Sequence, residues 1–233
     1  MFRFKQFTIQ QDRTAMKVCT DACILGAYAP VEGANLLDIG TGTGLLALMA
    51  AQRAESLRVD AVEIDEGAYG QAATNVAASP FAERVRVWNI SIQAFKPDQE
   101  GNYDTILTNP PFYTNHLRSP DANVNRALHN DELPFEHLAV AIQRLLKPDG
   151  QCWVLLPPFE MERFRKIAEK VSLLPFRQLN VRHHAQKPFF RQICGFSFRN
   201  LPLEKETLDI YETDGKTYSE PFRRLLQPFY LIF

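Results

Sequence analysis

Leu36-Leu37-Asp38-Ile39-Gly40-Thr41-Gly42-Thr43-Gly44 decides the fold. Its first residues form a short apolar run of strand type, and its last five place glycine at every second position. Leu45 to Arg53 follows directly and is rich in Ala and Leu, strong helix formers. A buried strand that turns on glycines into a helix lets main chain approach a ligand closely, with helix N–H groups aimed at it. A second strand, Arg58 to Ile64, carries Glu63 near its end. A carboxylate so placed accepts hydrogen bonds from two ribose hydroxyls, as in dinucleotide folds. Together these features point to a nucleoside-bearing cofactor. The Gly-x-Gly-x-Gly spacing departs from the pyrophosphate fingerprint G-x-G-x-x-G, which favours a cofactor without phosphates.

The alternation continues. Glu66 to Ala77 reads as a second helix, Arg84 to Trp88 as a third strand with Ser91 beyond it, and Tyr103 to Thr108 as a fourth. Such βαβα order predicts an α/β architecture with a parallel, doubly wound sheet. Asn109-Pro110-Pro111-Phe112 then stops the fourth strand, because proline fixes its own φ and restricts the residue before it. Ligands of open α/β sheets bind outside the carboxyl ends of the strands. There, the Asn109 side-chain oxygen and the Pro110 carbonyl can each accept one N–H of an exocyclic amine, while Phe112 offers a stacking face. An arylamine lone pair is delocalised into its ring. Acceptors out of the ring plane favour a pyramidal nitrogen with that pair available, which suits alkylation of a planar amine and requires no general base.

The chain has 233 residues, 45% of them apolar, enough for a substantial core, and a net charge of -1. Any nucleic-acid contact therefore depends on a local patch. Cys19, Cys23, Cys152 and Cys194 lack C-x-x-C spacing and read as core residues in a reducing cytoplasm; no metal site is expected. No apolar run approaches the roughly 20 residues that span a bilayer, so a soluble cytoplasmic protein without a membrane partner is expected.

At the amino end, Phe2, Phe4, Phe7 and Ile9 alternate with polar residues apart from one slip at Gln6, and Met16 and Val18 resume a two-residue period after Gln10-Gln11-Asp12, suggesting a hairpin. Thr20-Asp21 begins a helix that Pro30 ends. This segment reads either as a lid over the cofactor or as a cover that buries apolar surface. Residues 114–131 are polar and without periodicity, and a loop of that length beside the Asn-Pro-Pro turn reads as a lid or substrate loop; His129 within it reads as a solvated loop residue. Helices are expected from Pro134 to Leu146 and from Phe159 to Val171, and strands over 153–156, 176–181 and 192–198. Between Val171 and Leu203 there is no acid, while Arg177, Arg182, Lys187, Arg191 and Arg199 accompany Phe189 and Phe190. That stretch reads as a phosphate-contacting, base-stacking surface. The apolar ending Phe229 to Phe233 should dock on the core.

Asp38 to Gly44, Glu63 and Asn109 to Phe112, in that order, resemble the motifs of class I methyltransferases that use S-adenosylmethionine to methylate amino nitrogens. The resemblance implies a Rossmann-like, seven-stranded, mostly parallel sheet with an antiparallel last strand and helices on both faces. Lys17, Thr20 and Asp21 in the flap, the Arg-rich late strands, and Tyr218 with Phe229-Tyr230-Leu231 are similar in particular to the bacterial tRNA N6-adenine methyltransferases that modify adenine 37 of a valine tRNA. It implies one domain over 1–233, divided into a flap (1–30), a catalytic core (34–200) and a docked extension (201–233); a monomer is favoured. It implies that Asp38, Gly40, Thr41, Gly42, Gly44, Glu63, Ile64 and Ser91 bind S-adenosylmethionine, Ser91 standing where many relatives have an acid. It further implies that Asn109, Pro110, Pro111 and Phe112 are catalytic and that Tyr113, Arg182, Lys187 and Arg191 meet the tRNA. Alternatives are a release-factor glutamine N5-methyltransferase, which carries a larger amino-terminal domain than the 35 residues before Leu36, and an rRNA guanine N2-methyltransferase, which usually has His where Tyr113 stands. From a different class come an inactive RNA-binding module and a nicotinamide-dependent oxidoreductase.

Overall fold

The computed structural model describes residues 1–14, 17–97, 101–111 and 134–233. Phe112, Tyr113, His129 and the 114–131 segment lie outside the described residues. In chain order the strands are β1 (Phe2–Arg3), β2 (Thr8–Ile9), β3 (Asn35–Ile39), β4 (Arg58–Glu63), β5 (Val85–Asn89), β6 (Tyr103–Thr108), β7 (Leu146–Leu156), β8 (Leu174–Arg182), β9 (Arg191–Ser197) and β10 (Glu204–Asp209). The helices are α1 (Thr20–Tyr28), α2 (Leu45–Arg53), α3 (Glu66–Ala77), α4 (Phe135–Leu145), α5 (Pro158–Glu169) and α6 (Glu220–Leu226).

The main sheet has the order β10-β8-β9-β7-β6-β3-β4-β5. β9 alone runs antiparallel to both neighbours, and every other adjacent pair is parallel. The expected seven strands are β3 to β9, with the last one antiparallel. β10 extends them as an eighth strand on the edge. Side chains alternate between two apolar layers: Leu36, Leu107, Trp153 and Leu155 join α1, α2 and α6, whereas Leu37, Ile106, Val154 and Leu156 join α4 and α5. α2 is buried from Leu45 through Ala51, as expected of a helix apolar all round.

Three local readings are corrected. The amino-terminal hairpin turns at Phe4–Phe7, where the Phe4 N–H bonds the Phe7 carbonyl at 2.8 Å, and not at Gln10–Asp12. Stacking of Phe4 on Phe7 (4.6 Å between centroids) holds this earlier turn. β7 begins at Leu146, ahead of the expected Trp153, because Leu146 pairs with Tyr103 before a bulge restores the register at Thr105–Gln151. The acid-free stretch is not a free basic surface: β10 sets Glu204 opposite Arg177 and Asp209 opposite Arg182, and both pairs form ion bridges.

The carboxyl ends of all the parallel strands, and the amino end of β9, share one rim. At the chain's end Phe222, Leu226 and Phe229 are buried, the Phe229 carbonyl accepts from the Lys5 N–H at 2.8 Å, and Phe4 bridges to Tyr230.

Candidate active site at the carboxyl rim

Gly40, Gly42 and Gly44 all adopt left-handed backbone, with φ of 70°, 57° and 83°. A Cβ there strains any L-residue. Among the described residues, a Cβ built on Gly40 or Gly42 would meet nothing within 4 Å, whereas one on Gly44 would touch Ala72 at 3.6 Å. The first two glycines thus border open space, and the third packs on α3. The loop is anchored by the Gly40 and Thr41 N–H groups on the Val62 carbonyl, at 2.9 and 3.1 Å. Beneath it, Asp38 is fully buried and accepts from the Thr41 hydroxyl and the Ala47 N–H. Burial pushes its carboxyl up to about 7, against those two hydrogen bonds, which pull the other way.

Glu63 closes the far side. One carboxylate oxygen accepts from the Gly42 N–H at 2.9 Å, and the other from the Ile64 and Asp65 N–H groups at 2.9 and 3.0 Å. An ionised carboxylate has about four lone-pair sites and three are taken, so the oxygen that accepts from Gly42 keeps one for a ribose hydroxyl. Ile64, next along the chain, is 68% exposed, an apolar face left open for a planar ring. Asn89 at the end of β5 was not foreseen. Its amide donates to the carbonyls of Glu63 and Ile64 at 3.0 and 3.2 Å and locks that corner, yet a lone Asn at a strand end carries no sequence signal. Ser91 is half-buried, and its hydroxyl accepts from the Ala94 N–H at 3.3 Å.

Register brings the third part into place. Ile39 pairs with Thr108 across β3 and β6, and the Thr108 hydroxyl donates to the Ile39 carbonyl at 3.0 Å, so Asn109 emerges beside Gly40. Pro110 is buried and Pro111 exposed. The Asn109 Oδ1 is shielded from solvent and has no hydrogen-bond partner among the described residues. An orphaned buried acceptor costs about 1–3 kcal/mol, and an amine donating into it would recover that cost.

The basic residues divide. Arg182 is held by Asp209 through two nitrogens, at 2.6 and 3.3 Å, and donates to the Ala185 carbonyl at 3.0 Å. Arg191 pairs with Asp21 at 2.6 Å, joining β9 to α1. Lys187 is exposed and makes no ion pair among the described residues. Cys23 and Cys194 are buried, which pushes both thiols up to about 12, and Cys152 rises for the same reason. Among the described residues no group of three His, Cys, Asp or Glu could hold a metal, and no helix is long and apolar enough to cross a membrane.

Residues 23–163 match the family model described as the methyltransferase small domain. A protein of Dyadobacter fermentans named tRNA1(Val) (adenine(37)-N6)-methyltransferase is 48% identical, the match covering 100% of this chain and 98% of that one. Proteins of the same name from Trichodesmium erythraeum and Bacteroides fragilis are 44% and 42% identical, each match covering 99% of this chain and 97% of the relative. Among solved structures, a predicted O-methyltransferase of Agrobacterium tumefaciens superposes with a TM-score of 0.72 at 14% identity, covering 89% of this chain and 96% of that one. P. horikoshii TYW2 in complex with MeSAdo superposes with a TM-score of 0.53 at 15% identity, covering 78% and 63%.

Proposed function

The chain belongs to the methyltransferase small-domain family, and on that premise we propose that it transfers a methyl group from S-adenosylmethionine to N6 of adenine 37 in the anticodon loop of a valine tRNA. Near-full-length identity of 42–48% to proteins bearing that name supports the substrate. The orphaned Asn109 oxygen beside the glycine turn is the observation that carries the chemistry. The described residues also fit the cofactor: open space over Gly40 and Gly42, a carboxylate at Glu63 and an exposed apolar surface at Ile64.

When bound, S-adenosylmethionine supplies a methyl group on a sulfonium, already activated for transfer. The chain's own share is placement. Gly40 and Gly42 leave room for the methionine part, Glu63 holds the ribose, Ile64 and Ser91 flank the adenine, and Asp38 with Thr41 keeps the loop in shape. Asn109 Oδ1 and the Pro110 carbonyl each accept a hydrogen bond from one N6–H, Pro111 stiffens the turn, and Phe112 is assigned to stack on the target base. Their grip makes the nitrogen pyramidal and takes its lone pair out of conjugation with the ring. No side chain is needed as a base, since the alkylated nitrogen is strongly acidic and gives its proton to water. A loop adenine leaves its stack at a cost of a few kcal/mol. The whole chain, 1–233, works as one domain, in the cytoplasm where tRNA is found.

Incubation with labelled S-adenosylmethionine and bulk tRNA, followed by nucleoside mass spectrometry, tests this reading. It expects label in N6-methyladenosine of one tRNA; label in protein or in guanosine contradicts it.

A further inference from the structure

Among the chain's 17 phenylalanines, those the structure describes as exposed are Phe159, at 69%, and Phe189, at 40%. Single exposed apolar side chains are ordinary, but these two share the rim that carries the glycine turn and Asn109. Phe159 lies in the first turn of α5, directly after β7; Phe189 lies in the segment that joins β8 to β9. Outward from β6 the strands run β7, β9, β8. At about 4.8 Å per strand, Phe159 falls roughly 5 Å along the rim from Asn109 and Phe189 roughly 10–14 Å. The second span equals about three to four stacked nucleotides at about 3.4 Å each.

The ledge under Phe189 is built in advance. The Arg182 guanidinium sits 5.3 Å from its ring centre and is itself clamped by Asp209. Behind it, His183 and Phe190 stack at 4.6 Å with their planes 6° apart, and Arg191, tied to Asp21, lies over Phe190 at 5.4 Å. The two arginines therefore brace aromatic rings, and among the described residues of this β8–β9 segment the cation left for a phosphate is Lys187.

We propose that Phe159 and Phe189 form a stacking track for unpaired RNA bases next to the target adenine, with Lys187 on the phosphate backbone and Arg182 as a positioning residue for Phe189. Stacking tolerates any base, and a single-stranded loop presents unstacked ones. The inference rests on the tRNA reading above and assigns it a binding surface.

The test measures binding of a fluorescent anticodon stem-loop RNA to the full chain across a range of salt, beside S-adenosylhomocysteine affinity and tRNA methylation. Phe159→Ala and Phe189→Ala should each weaken RNA binding about tenfold and leave cofactor affinity unchanged. Phe189→Trp should restore it, and Lys187→Ala should flatten the logarithmic salt slope by about 0.7. Arg182→Gln should weaken binding in wild type and have no further effect on Phe189→Ala. RNA affinity unchanged in both Phe→Ala variants, or lost together with cofactor affinity, overturns the track. A wild-type protein that binds RNA through Phe189 yet methylates no tRNA overturns the functional reading and leaves the track standing.

Discussion

Replacing Gly42 and Gly44 separately by Ala distinguishes strain from occupancy. Both residues have left-handed φ, 57° and 83°, so each substitution should cost about 1–2 kcal/mol of folding stability. They differ in what the new methyl group meets. On Gly44 it lies 3.6 Å from Ala72, an ordinary contact facing α3; on Gly42 it enters space in which no atom of the described residues comes within 4 Å. If that space receives the cofactor, one methyl group there overpacks the complex by about 1–3 kcal/mol, or about 5- to 150-fold in affinity. Urea unfolding should therefore show similar losses for the two variants, while titration calorimetry with S-adenosylhomocysteine should show a large loss for Gly42→Ala and less than about threefold for Gly44→Ala. Equal losses of affinity in both variants, or wild-type affinity in Gly42→Ala, would refute the assignment of the open space.

Burial pushes the Asp38 carboxyl up to about 7 in the folded protein, above its unfolded value of about 3.9, so its contribution is complete below about pH 4 and is lost as pH rises through about 7. Asp38→Asn cannot ionise and should gain on wild type progressively from about pH 4 to about pH 7, with a constant advantage above that, in urea midpoints; a difference independent of pH contradicts this. The Asp21–Arg191 bridge, with side chains 12% and 24% exposed, should give a coupling of about 1–2 kcal/mol in a double-mutant cycle read by unfolding, and zero coupling would remove its role in tethering α1. Ser91→Asp should keep an acceptor for the Ala94 N–H and tighten cofactor binding severalfold through a charge-assisted bond to the adenine amine, as calorimetry can check; weaker binding would show that Ser91 does not face the adenine.

Where sequence reading succeeded, the signal was local. α2 and α3 fall on the expected residues because an apolar Ala-rich run and an Asp65 cap, accepting from the Ala68 N–H at 2.7 Å, specify them without help. Glycines at alternate positions announced the turn for the same reason. β10 was invisible: Glu204-Lys205-Glu206-Thr207 is exposed throughout, and its strand form comes from pairing with β8 and from its ion bridges to Arg177 and Arg182. The same long-range pairing hid the charge balance: Glu204 and Asp209, which pair with Arg177 and Arg182, follow the basic stretch and return beside it only in the sheet, and Asp21, which pairs with Arg191, lies far ahead of it on α1. Phe159 was read as a helix residue. Its exposure on the rim is set by Pro157-Pro158 at the end of β7, an echo of the Pro110-Pro111 turn that only the sheet order reveals.

We propose that Asn109 grips the target amine beside the glycine turn. The most direct test is the single-turnover rate of methyl transfer by Asn109→Ala at saturating S-adenosylmethionine and tRNA, measured beside cofactor affinity. The expected rate is lower by about a hundred- to a thousandfold, with cofactor affinity unchanged and stability equal or higher because a buried oxygen without a partner among the described residues has gone. A variant that transfers methyl at the wild-type rate would contradict it.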